Sequence, residues 1–452
     1  MKFFEKKIPL LPIIGLFILS WIALGVYFLL IVFNNVWPAT LIFQAKGFIE
    51  QHRNYDADGL TIDDFMAGLG KVSKNSPVNA EHDTSFSKDY IALNIPDLKD
   101  RTQPRVYFNP SEHQTDYRVV VGAFKTGRQE WAGLLVNKKG EVEHVWPLGE
   151  EAYKGIYGVS LSKNGSIIYA KGQNLRSVGF CGNVEWDITG PEGLGYHHAA
   201  SITEDGNYVW TFDRPENAPF PIMSKVDIST GEVVKTIKTS DVRDANPETF
   251  IFDLRLKNQE TTMPHVNDID TVTEAFAAQY EGQFKAGDIA VNQRSSNMFY
   301  IFDAETLKLK FWYLGSHDGG HDVDFLPSGK ITLYNNGSRR SYWGKDYKTT
   351  IVEVDPVSNT HTVILDGMDY GNPYSRPNGR QHTRYVATET GEKNYLSVDV
   401  SWAGRSIEVN RENKNLAFDF VNIIANDKIA YLSETFPVNA DFFTFNPATK
   451  CK

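Results

Sequence analysis

The sequence predicts an all-β protein, a six-bladed β-propeller preceded by an N-terminal transmembrane helix and a short helical stalk. Three observations predict it. A strand, turn and strand pattern recurs as Gly158-Val-Ser-Leu-Ser-Lys-Asn-Gly165, His198-Ala-Ala-Ser-Ile-Thr-Glu-Asp-Gly206, His321-Asp-Val-Asp-Phe-Leu-Pro-Ser-Gly329 and His382-Thr-Arg-Tyr-Val-Ala-Thr-Glu-Thr-Gly391, each closing on a turn glycine. A second hairpin falls between the copies, as Val136-Asn-Lys-Lys-Gly-Glu-Val, Val226-Asp-Ile-Ser-Thr-Gly-Glu-Val, Ile301-Phe-Asp-Ala-Glu-Thr-Leu and Val354-Asp-Pro-Val-Ser-Asn-Thr. Strands near 118–146 and 420–434 match as two parts of one blade, which would close a ring and hide its sheet edges.

One inner and one outer hairpin make a four-stranded blade, and blades of ~40 residues are the signature of a propeller. Gly165, Gly206, Gly287, Gly329, Gly391 and Asp427 mark six of them. The steps from Gly165 to Gly206 and from Gly287 to Gly329 set the period, and the longer steps require insertions. An open solenoid, the alternative repeat architecture, leaves the matching strands at the two ends unexplained.

Composition agrees. The 452 residues are 41% hydrophobic and 13% aromatic, enough for a large core, and 35 glycines with 20 prolines suit a turn-rich β protein. A net charge of -10 gives no basic footprint for nucleic acid, so small molecules, glycans or proteins are the expected partners. Cys181 and Cys451 are the two cysteines; their spacing fixes neither a disulfide nor a metal site, and no Cys-x-x-Cys motif exists.

The N-terminus predicts a membrane anchor. Residues 8–45 carry no charge, and residues 10–33 form a 24-residue apolar run, ~36 Å long as a helix at ~1.5 Å per residue. Lys2, Lys6 and Lys7 outnumber Glu5 ahead of it, which places the N-terminus in the cytoplasm and the remaining chain in the periplasm or outside. A cleaved signal peptide fits less well, since the run is long and no small-x-small motif ends it. Residues 37–49, with Pro38 near the first turn, and 61–69, with Thr61 as cap, have helical spacing, while 73–100 is polar loop. The expected domains are therefore 1–34 (cytoplasmic end and anchor), 35–110 (stalk) and 111–452 (propeller).

Histidine opens the inner hairpin in four blades, at His198, His265, His321 and His382. First strands line the central channel of a propeller, so these imidazoles should converge near the axis. His52, His82, His113, His144 and His361 read as surface residues, His317 as either, and His197 as pointing away from His198. Arg339 and Arg340 follow the return strand of the His321 hairpin and can reach the axis or stay solvated; Arg294 holds a related place.

The segments His198-Ala-Ala-Ser-Ile-Thr-Glu-Asp-Gly, His265-Val-Asn267-Asp-Ile-Asp with Gly287-Asp-Ile-Ala-Val-Asn-Gln-Arg294, and His321-Asp-Val-Asp-Phe-Leu-Pro-Ser-Gly with Asn335-Asn-Gly-Ser-Arg339 resemble the bacterial arylsulfotransferase (arylsulfate sulfotransferase) family, over residues 117–436. The resemblance implies an exported six-bladed propeller. It would move a sulfuryl group from an aryl sulfate to a phenol through a sulfated histidine, with no nucleotide donor and no cofactor. It also implies that His265, His321 and Arg339 bind the sulfuryl group, that one of these histidines exchanges a proton with the phenol oxygen, and that His382 is the nucleophile. His198, Asn267, Arg294, Arg340 and Tyr374 would complete the substrate site, Tyr374 from an aromatic and basic loop over residues 366–380 suited to an anionic aryl ligand. The stalk is too short and too helical in pattern to be the β-sandwich domain of well-known members, and an anchor replaces free secretion.

Two other readings remain open at this level. An anchored propeller could bind a ligand or a partner protein without catalysing transfer. A metal could sit among His265, Asp268, His321 and Asp322, although strand alternation should turn Asp322 away from His321.

Overall fold

A computed structural model of the chain describes residues 90–95, 104–124, 129–151, 156–171, 173–190, 195–196, 198–214, 221–249, 251–253, 266–315, 319–336, 350–366, 380–388, 391–401, 404–424 and 428–451. The expected anchor at 10–33 and the helices at 37–49 and 61–69 lie outside them. Among the described residues no helix is long and apolar enough to cross a membrane.

Six antiparallel sheets form six blades. The first contains Ile156–Leu161, Ile167–Lys171, Asn174–Val178 and Val184–Thr189. The second has a divided inner strand, Gly195–Tyr196 and Ser201–Ile202, both paired with Tyr208–Arg214, followed by Ile222–Asp227 and Val233–Lys238. The third is Val266–Thr271, Ile289–Gln293, Met298–Phe302 and Leu309–Leu314, and the fourth is His321–Phe325, Ile331–Asn335, Thr350–Asp355 and Thr360–Asp366. The fifth contains Arg380–Thr388, Gly391–Val400, Arg405–Asn410 and Leu416–Val421.

The sixth blade joins the two ends of the repeat region. Leu432–Val438 pairs with Tyr117–Ala123, which continues into Gln129–Asn137 and Val142–Glu151. Closure thus follows the expected scheme, but with later residues, since Phe420 lies in the outer strand of the fifth blade. Asp427, the sixth expected marker, lies outside the described residues, between the short paired strands Ile423–Ile424 and Lys428–Ile429. The end of the expected stalk is extended. Arg105–Phe108 and Ile91–Ala92 add to the outer edge of the fifth blade, where they cover otherwise unpaired backbone groups. Helix Thr239–Ala245 and the short helix Glu274–Ala277 fall within the long step between Gly206 and Gly287.

Strand alternation explains why the ring holds. Ile167 and Tyr169 face the sixth blade with Trp131 and Trp146, whereas Ile168 and Ala170 face the second with Val209 and Val226. The same two-sided burial recurs between the second and third, third and fourth, fourth and fifth, and fifth and sixth blades, so an apolar cluster fills every interface. At the closing interface Arg118 makes a bidentate ion pair with Glu408 (Nη2 to Oε1 2.8 Å, Nη1 to Oε2 3.0 Å) and lies over the Phe418 ring. A Cys181–Cys451 disulfide ties the C-terminus to the outer hairpin of the first blade.

Candidate active site

Pairing is irregular where the inner strands begin. One extra residue interrupts the first strand at Gly158 in the first blade, Asn267 in the third, Asp322 in the fourth and Ser433 in the sixth. Such bulges bend a strand and re-aim its side chains. Asp322 has a left-handed φ of 58°, so the alternation used to turn it away from His321 does not hold across this step. His198 occupies the break in the second blade's inner strand, also left-handed, with φ 63°.

The adjoining first blade makes room for it. Gly158 has φ 58°, and a Cβ there would stand 2.5 Å from the His198 carbonyl oxygen and 2.6 Å from Ala199 backbone. Only glycine combines this conformation with this approach.

The structure brings His198 and His321 together. Their ring centroids are 6.2 Å apart, edge to face, although they come from the second and fourth blades, which are not neighbours in the ring. Such blades can meet only around the axis. His321 is buried, and blade three fixes the backbone on both sides of it: Asn267 Nδ2 donates to Gly320 O (2.8 Å), and Val323 N donates to Asp268 Oδ2 (2.7 Å). Asn292 Nδ2 donates to Asn267 Oδ1 and to Gly320 O, each at 2.5 Å. Asn336, fully buried, places its Nδ2 2.5 Å from Gly319 O and 2.8 Å from His321 Nδ1, with that ring nitrogen 3.0 Å from Gly319 O.

The remaining expected site residues lie near that end of the third blade or outside the described residues. Arg294 follows Gln293, the partner of Val266, and is half-buried at that end of the third blade. His382 pairs through its backbone with Ser397, and its side chain lies outside the described residues, as do His265, Arg339, Arg340 and Tyr374. His321 is aligned with Val266 by the two bulges, and His382 is the third residue of its strand.

Carboxyl groups also gather here, a feature that the repeat pattern did not disclose. Burial, reinforced by Asp268 and Asp322, holds Asp270 well above the usual carboxylate range. Burial does the same to Asp324, with Asp322, Asp270, Asp268 and Glu434 adding negative charge. Blades three, four and six contribute to this group, which therefore borders the axis. Among the described residues no set of three or more His, Cys, Asp or Glu side chains has an arrangement that could hold a metal. Asn292 and Asn336 had no periodic signal; the Asn335-Asn-Gly turn was the one hint.

A family model described as Arylsulfotransferase (ASST) matches residues 159–384, half of the chain. Comparison with curated proteins finds no match. Among solved structures, the chain is similar to a protein of unknown function from Bacteroides caccae at 14% identity and a TM-score of 0.43, covering 72% of this chain and 99% of that one. TolB from Acinetobacter baumannii gives 12%, 0.40, 72% and 67% for the same measures, and a virginiamycin B lyase from Staphylococcus aureus gives 9%, 0.39, 74% and 99%. None of these likenesses is close enough to speak to chemistry.

Proposed function

This chain belongs to the arylsulfotransferase family, and on that premise we propose that it transfers a sulfuryl group from an aryl sulfate to a phenolic or related hydroxyl acceptor, without a nucleotide donor. A neutral imidazole, that of His382, attacks sulfur; the N–S bond forms, the S–O bond to the aryl group breaks, and the departing phenolate takes a proton from a donor imidazole. The acceptor oxygen then attacks the sulfohistidine, the S–N bond breaks, and the acceptor's proton returns to that donor. His265, His321 and Arg339 hold the sulfuryl oxygens and offset the charge that develops on the phenolate. His198, Asn267, Arg294, Arg340 and Tyr374 shape the rest of the site. The carboxyls of Asp270 and Asp324, which keep their protons to higher pH than usual, soften the repulsion that an anionic donor meets.

The observation that carries this reading is the meeting of two imidazoles from non-adjacent blades beside a family-matched hairpin. Residues 10–33 tether the enzyme, with the propeller on the extracytoplasmic side facing phenols or surface glycans. The Cys181–Cys451 disulfide supports an oxidising compartment. Incubation with aryl sulfates and a phenol acceptor should release free aryl alcohol and yield sulfated acceptor. His382→Ala should lose both turnover and a labile covalent sulfate. Absence of turnover across diverse donors, with stoichiometric ligand or partner capture instead, would replace this reading with a non-catalytic binding propeller.

A further inference from the structure

Three atoms meet behind the His321 ring: its own Nδ1, the carbonyl oxygen of Gly319 and the side-chain nitrogen of Asn336. They decide which ring nitrogen carries the proton. The carboxamide must turn its nitrogen, not its oxygen, toward Gly319, because two carbonyl-type oxygens 2.5 Å apart would repel strongly. One amide hydrogen is thereby given to Gly319 O, and the other points to His321 Nδ1 at 2.8 Å. A proton on Nδ1 would have Gly319 O as its acceptor at 3.0 Å, but it would share that oxygen with the Asn336 amide and leave two donor nitrogens pressed to 2.8 Å. Nδ1 is therefore the acceptor, and the neutral ring carries its hydrogen on Nε2.

We propose that Asn336 is a positioning residue that fixes His321 as the Nε2–H tautomer, so that His321 meets the sulfuryl donor as a hydrogen-bond donor and not as the attacking nucleophile. The inference rests on the sulfuryl-transfer reading for its consequence, but the tautomer itself stands on geometry alone. Fixing the orientation of a ring through its second nitrogen is a general way to set the chemistry of the first. The surroundings hold this arrangement still. Asn336 is fully buried, and the neighbouring Gly320 carbonyl is bonded by both Asn267 and Asn292. The 319–321 backbone therefore has little freedom to swing the carbonyl away. With Nε2 protonated, no ring lone pair faces the sulfur, which leaves the nucleophile to another histidine.

The test is nitrogen NMR of the full chain with 15N-labelled histidine, the His321 signal being assigned by its loss in His321→Gln. At a pH where the ring is neutral, the wild type should show an unprotonated Nδ1 and a protonated Nε2. The reverse pattern overturns the proposal, whether or not the protein turns over an aryl sulfate. Asn336→Asp should invert the tautomer, because its carboxylate accepts from Nδ1–H. With an aryl sulfate, that variant and Asn336→Ala should lose ~10- to 100-fold in kcat with a smaller change in KM. An unchanged kcat in a folded variant with an inverted ring also overturns it. Nε2–H in the wild type with no sulfuryl transfer on any donor would leave the tautomer established and reject the enzymatic reading separately.

Discussion

Asp213 gives a direct measure of how firmly the blades are packed. It lies in Tyr208–Arg214 opposite Tyr196 and Ile222, is fully buried, and neither carboxyl oxygen has a hydrogen-bond partner among the described residues. Burial pushes its pKa from 3.8 up to about 8. The folded state thus holds a proton that the unfolded chain releases near pH 4. Stability from this group is full below that value, falls as pH rises, and levels off above about 8. At ~1.4 kcal/mol for each pH unit between the two values the ceiling is ~6 kcal/mol, and relaxation around the ionised group brings it to ~3–6 kcal/mol. Asp213→Asn keeps the size and polarity of the neutral acid without its proton. Urea unfolding, followed by tryptophan fluorescence at pH 4 and pH 9, should find the variant close to wild type in acid and several kcal/mol more stable in base. Parallel pH profiles for the two proteins would refute the assignment of a neutral buried carboxyl.

Three further substitutions test the frame around the site. Arg118→Ala leaves Glu408 buried without its bidentate partner and should cost ~3–5 kcal/mol in thermal or urea unfolding, with Glu408→Gln restoring part of the loss in the double variant. Gly158→Ala forces a side chain into a left-handed residue against His198 O; ~1–3 kcal/mol of stability should go, together with aryl sulfate turnover, and retention of both would show that the His198 segment tolerates displacement. Cys181→Ser frees the C-terminus from the first blade and should lower the unfolding free energy by ~2–5 kcal/mol, with one free thiol appearing by titration.

The fold was legible because its cause is local. Apolar residues at alternate positions and a turn at Gly165, Gly206 or Gly329 are properties of a few consecutive residues, and their repetition at ~40-residue steps specifies blades whatever lies between them. Closure was legible for the same reason, since incomplete hairpins at both ends need each other. Boundaries were less so: Arg105–Phe108 joins an outer sheet edge, and the closing strand is Leu432–Val438, because pairing partners distant in the chain decide where a strand ends.

The site divides differently. Residue type singled out His198 and His321, and the ring geometry brought them together. The register of His321 against the third blade came from bulges at Asn267 and Asp322, and the place of His198 from a break in its own inner strand, neither of which a period-two pattern contains. The roles of Asn336 and Asn292, and the shared charge of Asp268, Asp270, Asp322, Asp324 and Glu434, depend on which atoms from separate blades arrive within a few ångströms of each other. The sequence by itself determined the repeating hairpins and the supply of imidazoles. Tertiary structure alone decided the direction of each ring and the partner of each nitrogen, because hydrogen bonding and desolvation act across space and not along the chain.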